Sequence, residues 1–152
     1  MRKVLQSLVA SGNTLLHGSP KQFDEAFPSL ADDELAVCAT PCAEIAITMA
    51  LMKACIGRGG YTASLSKSKC NLEIRVCEKL LSALLHKKVV GYVHVMDAAH
   101  FSKKSPFEFR AYESLYVQKS IKVTNEDLPF VPVAGQLIYK IPVNRNVTAM
   151  VN

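Results

Sequence analysis

The sequence predicts an α+β fold, with a β-sheet and a few flanking helices in one domain over residues 1–152. Three observations carry this. "TPCAEIAITMALMKACIG" has apolar residues at helical spacing and marked ends. "LAVCAT", just before it, is a short apolar run of strand length. After residue 88, segments rich in β-branched and aromatic residues crowd together.

Taken in order, "MRKVLQSLVASG" reads as a short helix or an irregular lead-in. "NTLLHG" reads as a strand of about four residues that ends in a turn. His17 and Gly18 sit at that strand end. Gly18 permits backbone shapes closed to other residues, and Pro20 ends regular pairing. The place suits a ligand and suits a plain turn equally. "SPKQFDEAFPSLADDE" reads as a loop, and "LAVCAT" as a buried strand. A helix follows from Pro41 to Cys55. Thr40 is a good N-cap, Pro41 suits the first helical position and Glu44 lies in the first turns. Ile45, Met49, Met52 and Ile56 recur on one face, and "GRGG" ends the run.

Leu72, Val76, Leu80 and Leu84 lie four residues apart, which predicts a second helix within 61–88 that ends near His86. "VVGYVHVMDA" is a strand. On it His94 alternates with apolar neighbours, which fits core or sheet edge better than catalysis. "HFSKKSPF" is a loop, "EFRAYESLYVQKSIKVT" one or two strands, and "NEDLPFVPV" a turn. "GQLIYKIPVNRNV" is a last short strand or an exposed tail.

Composition narrows the class. The chain has 152 residues, 49% hydrophobic and 20% charged, with no apolar run long enough to span a bilayer. Its basic, partly apolar start is broken by Gln6 and Ser7 and is not read as a signal peptide. Five cysteines at irregular spacing form no Cys-x-x-Cys and no zinc-finger pattern. They read as reduced thiols in a cytoplasmic protein, with no metal. The net charge of +5 is scattered; "HKK" at 86–88 and "SKK" at 102–104 are its densest patches, and no nucleic-acid-binding motif is present. "RGG" at 58–60 lacks the lysine and hydroxyl residue of a phosphate loop.

Three segments, taken in order, carry more information than any of them alone. They are "LLHGSP", "VCATPCAEIAITMAL", and "GYVHVMDAAHF" followed by "EFRAYESLYVQKSIKVTNEDLP". Together, over roughly residues 13–129, they resemble the ADP-ribosyltransferase-like fold, in particular small bacterial and phage proteins with His-Gly-Ser and Ala-Thr-Pro motifs. That resemblance implies a curved, split β-sheet and NAD as substrate. It implies that His17 bonds a ribose hydroxyl and that the Gly18 backbone pairs with the nicotinamide amide. Ser19 and Thr40 would line the same cleft. Glu108, or its rival Glu113, would be the catalytic carboxylate. Cys38 stands where such relatives often carry phenylalanine, so Tyr61 in "GGYTAS" is the ring left to stack on nicotinamide. Lys21, Lys53 and Arg58 are candidate partners for the pyrophosphate.

The chemistry rests on simple requirements. Breaking the nicotinamide–ribose bond builds positive charge on the sugar, and one nearby carboxylate stabilises it. Donors on the nicotinamide amide hold the leaving group in line. Two classes of function follow. One is an NAD-dependent ADP-ribosyltransferase or NAD glycohydrolase, acting on a protein, a nucleic acid or water. The other is a non-catalytic nucleotide- or protein-binding domain on the same fold. An NAD-using enzyme that removes a phosphate from RNA is less favoured, because it needs more basic residues than this cleft offers. Neither class involves a membrane.

Overall fold

The computed structural model describes residues 1–56, 61–66, 71–76, 78–128, 131–133 and 136–140. The chain is of mixed α+β type, built on antiparallel sheets.

The first sheet has the order β1-β7-β11, formed by β1 (Thr14–Ser19), β7 (Val90–Asp97) and β11 (Lys119–Thr124). Its central strand β7 is the "VGYVHVMD" segment, buried along most of its length. Helix α1 (Arg2–Val9) and helix α2 (Ala43–Ile56) belong to the same core as this sheet. α2 is apolar on nearly every side, as a helix enclosed by its neighbours must be. Ala43, Ala46, Ile47, Ala50, Leu51 and Met52 are all buried. They pack with Leu5 and Val9 of α1 and with Leu16, Val93, Val95, Ile121 and Val123 of the sheet. Each fully buried leucine or isoleucine contributes about 1.5–3 kcal/mol.

Two glycines set how close α2 comes. A Cβ on Gly18 would lie 2.3 Å from the Ala46 carbonyl oxygen, and one on Gly91 2.9 Å from Ala50. The helix backbone therefore rests almost directly on β1 and β7. Gly18 has a packing reason to be glycine, separate from any ligand.

The second sheet has the order β3-β4-β9-β8, formed by β3 (Ser29–Ala31), β4 (Glu34–Ala39), β8 (Ser102–Ser105) and β9 (Glu108–Ala111). The β3–β4 hairpin turns through Asp32, whose φ of 57° is left-handed and is tolerated by aspartate. A short ladder of β2 (Glu25–Ala26) and β10 (Leu115–Tyr116) joins Val37, Met96 and Ala111 in a second apolar cluster. Among the described residues the two sheets meet at one isolated bridge, Leu16 to Thr40.

Several expectations shift. The segment read as the front of a second helix is a hairpin, β5 (Tyr61–Ser66) paired with β6 (Asn71–Val76); α3 covers only Glu78–His86. Leu72, Ile74 and Val76 alternate with Glu73 and Arg75, so the same residues that match a helical face also match a strand. Both predicted loops hold short strands: β2 and β3 in the first, β8 in the second. The turn at 125–133 contains β12 (Val131–Val133), and the last strand is β13 (Gln136–Lys140), in the sheet order β12-β13-β6-β5. The remainder of the expected tail, from residue 141, lies outside the described residues, as does Arg58. Among the described residues no helix is long and apolar enough to cross a membrane.

Candidate functional site

The site begins at the bridge between the sheets. Leu16 and Thr40 exchange both backbone hydrogen bonds, at 2.9 and 2.8 Å. In an antiparallel strand, residues two apart direct their backbone groups to the same side. The N–H and C=O of Gly18 therefore face β4 as well. In a continued ladder they would meet Cys38. Instead the Cys38 carbonyl is taken by the His17 side chain, with Nδ1 2.6 Å away. The imidazole thus stands where the next rung would form, and the sheets part around it.

That contact also fixes the tautomer. A carbonyl oxygen only accepts, so Nδ1 carries the proton and donates, and Nε2 is left as an acceptor. Burial strips water from the imidazolium and drops the His17 pKa from 6.5 to about 4, with Lys53 and His94 adding repulsion against the raising effect of the Cys38 carbonyl. His17 is neutral at pH 7.

A cleft of about 270 Å³ opens at the parting. β1 contributes Leu16, His17 and Gly18; β4 and the following turn contribute Cys38, Ala39 and Thr40. Ile45, Ala46, Met49 and Lys53 come from one face of α2, and Phe107 and Glu108 from the entry to β9. Five of the site candidates singled out by sequence therefore line one cleft: His17, Gly18, Thr40, Lys53 and Glu108. Thr40 does so with its hydroxyl already accepting from the Cys42 N–H at 3.1 Å, so the hydroxyl proton remains to be donated. α2 starts two residues later than the sequence predicts, at Ala43, because Thr40 is held in the bridge.

Lys53 is the cleft's ammonium. Its Nζ reaches the Gly18 carbonyl at 3.5 Å, and burial lowers its pKa.

Glu108 Oε1 accepts from Arg110 twice, from Nε at 3.2 Å and Nη2 at 3.0 Å. Cys38 Sγ, held as a thiol by burial and by the Glu108 charge, donates to the same oxygen at 3.7 Å. Arg110 is only 1% exposed. It also donates to Glu34 Oε1 at 2.5 Å and Asp32 Oδ2 at 2.8 Å. The Arg110 hydrogen bond holds the Glu34 carboxyl below its ordinary range, and the three carboxylates push the guanidinium well above its own. Tyr112 donates to Glu34 Oε1 at 3.2 Å.

Other candidates fall elsewhere. Glu113 is exposed in the bend after β9 and does not line the cleft. The reason is that β9 ends at Ala111, so Glu113 lies beyond the strand that carries Glu108. Ser19 is buried at the end of β1, where its Oγ accepts from the Lys21 N–H at 3.2 Å, and it too is outside the lining. Tyr61 opens β5, and its ring lies outside the described residues. His94 is fully buried, as its alternation implied. Its Nε2–H donates to the Lys21 carbonyl at 3.1 Å and its Nδ1 accepts from Ser120 Oγ at 2.8 Å.

Three residues at or beside the site had escaped the sequence reading. Phe107 supplies an aromatic ring to the lining. Phe23 stacks on His94 with centroids 3.9 Å apart and lies 5.9 Å from His17. Arg110 anchors Glu108. Phe23 and Phe107 lie in segments read as loops, and a buried arginine in a strand carries no pattern of its own. Among the described residues no group of three or more His, Cys, Asp or Glu side chains could hold a metal ion. No protein-family model, curated protein or solved structure matches the chain.

Proposed function

We propose that this chain is an ADP-ribosyltransferase-like protein that binds NAD at the parting of its two sheets and breaks the nicotinamide–ribose bond. The observation that carries the reading is the convergence of His17, Gly18, Thr40 and Glu108, from three separated segments, on one cleft. In this reading the N–H and C=O of Gly18, which face the parting, hold the nicotinamide amide, and Lys53 gives up its long contact with that carbonyl. His17 Nε2, an acceptor by its fixed tautomer, accepts a hydrogen bond from a ribose hydroxyl. Lys53 offers the pyrophosphate a cation in an otherwise largely apolar cleft. Glu108 faces the sugar and stabilises the positive charge that develops there. Nicotinamide leaves with the bonding electron pair, and the sugar carbon is taken by an acceptor nucleophile or by water. The stacking ring comes from Phe107, which lines the cleft.

The test is nicotinamide release from NAD by the purified protein, alone and with Glu108→Gln. Release by the parent and a loss of about 10²–10³ in rate in the variant, with NAD affinity retained, supports the reading. Absence of both binding and release overturns it.

One observation favours the second reading, a non-catalytic nucleotide-binding domain. Glu108 is already ion-paired with Arg110, and a carboxylate neutralised by its neighbour would offer a developing cation less. Binding of NAD without nicotinamide release is the outcome for that case.

A further inference from the structure

Resting on the NAD-cleaving reading, we infer that Arg110 is a positioning residue. It pins one oxygen of Glu108 and leaves the other, Oε2, to face the sugar, while Asp32 and Glu34 balance the guanidinium so that Glu108 keeps its charge.

The asymmetry of the contacts carries this. All of the contacts described for Glu108 fall on Oε1: two from Arg110 and one from Cys38. A flexible glutamate at the head of a strand is thereby held in one orientation. Arg110 sits two residues further along β9 and beside Cys38 of β4, so all three share one face of the sheet. Its burial fixes it as a rigid support.

The charge count decides between quenching and positioning. One guanidinium meets three carboxylates: Asp32 at 2.8 Å, Glu34 at 2.5 Å and Glu108 at 3.0 Å. Were Glu108 the guanidinium's sole partner, the pair would be neutral. With Asp32 and Glu34 present the cluster keeps an excess of negative charge, and Glu108 is the member that lines the cleft. Glu34 is further held by Tyr112. The β3–β4 hairpin, with left-handed Asp32 at its tip, is thus the device that lets a buried arginine orient Glu108 without spending its charge.

A double-mutant cycle on nicotinamide release tests the inference. Arg110→Met should lower kcat about 10–100-fold, as removal of an orienting partner does at metal sites, with KM nearly unchanged. Arg110→Lys should recover part of the loss. Because Arg110 acts through Glu108, Arg110→Met with Glu108→Gln should be no slower than Glu108→Gln alone. Additive losses, or an unchanged kcat in Arg110→Met, overturn the inference. Should Arg110→Met fail to fold, Asp32→Asn with Glu34→Gln replaces it. Unbalancing the guanidinium should then lower kcat about tenfold with KM unchanged, and no change overturns the inference. If the parent releases no nicotinamide, the NAD-cleaving reading has failed. The positioning claim is then decided by a crystal structure of Arg110→Met, or of Asp32→Asn with Glu34→Gln where Arg110→Met does not fold. A Glu108 carboxylate displaced from Cys38 supports it, and one that stays in place overturns it.

Discussion

His17 does two jobs with one ring, and both follow from the proton on Nδ1. It closes off the Cys38 carbonyl and leaves Nε2 as an acceptor. On the proposed NAD binding, replacing it with alanine removes one hydrogen bond to an uncharged hydroxyl, which costs about 0.5–1.5 kcal/mol, so NAD affinity should fall a few-fold to about tenfold by calorimetry. The same residue makes stability depend on pH. Above pH 6.5 neither the folded nor the unfolded chain protonates His17. Between 6.5 and about 4 the unfolded chain binds the proton and the folded chain resists it, so stability falls with pH until about 4. The drop corresponds to at most about 3 kcal/mol, at about 1.4 kcal/mol per pH unit. Urea denaturation at pH 7 and pH 4.5 should show a smaller loss for His17→Gln than for the parent; equal losses contradict the assignment. His17 and Gly18 were legible because a histidine and a glycine end a short apolar run. Arg110 was not, because its partners Asp32, Glu34 and Glu108 are assembled by the pairing of β4 with β9.

At the scale of elements, the close seat of α2 on β1 and β7 shapes the cleft. The helix comes near enough for Ala46, Met49 and Lys53 to form one wall because Gly18 and Gly91 lack side chains. Gly18→Ala should destabilise the fold by about 1–3 kcal/mol, since the backbone of α2 has to move to admit the methyl group. Chemical denaturation measures this, and an unchanged midpoint contradicts the packing role. α2 was readable from the spacing of its apolar residues and the glycines after it; the expected cap at Thr40 was not, because that residue is held in the bridge to Leu16. The β5–β6 hairpin was not, because its apolar residues satisfy periods of two and of four at once. Short strands such as β2, β3 and β8 escape for another reason. With two to four residues they hold no full period, and neighbouring strands decide their pairing. The short length of β9 separates the rival acids: Glu108 opens the strand and lines the cleft, while Glu113 lies exposed in the bend beyond its end at Ala111. Glu113→Gln should therefore leave nicotinamide release within about twofold of the parent, while Glu108→Gln loses about 10²–10³. The reverse order contradicts the assignment.

At the scale of the molecule, two sheets joined through the Leu16–Thr40 rung produce a cleft that neither holds alone. One brings His17 and Gly18 on β1, the other Cys38 and Glu108, and α2 roofs the gap. The sequence announced this junction only through the order of its segments, since residues 17 and 108 are brought together by the fold and not by spacing. The α+β class and the helix at its centre were legible from local pattern; the contact of His17 with the Cys38 carbonyl at the parting of the sheets is one that no pattern encodes. The central claim is that this parting is where NAD binds. A titration of ¹⁵N-labelled protein with NAD, followed at the Gly18 amide and the His17 imidazole nitrogens, tests it most directly. Gly18 N–H and His17 Nε2 should shift together and saturate at one NAD concentration, while Gly12, in the turn before β1, stays still. Shifts confined to other residues, or none at saturating NAD, would contradict it.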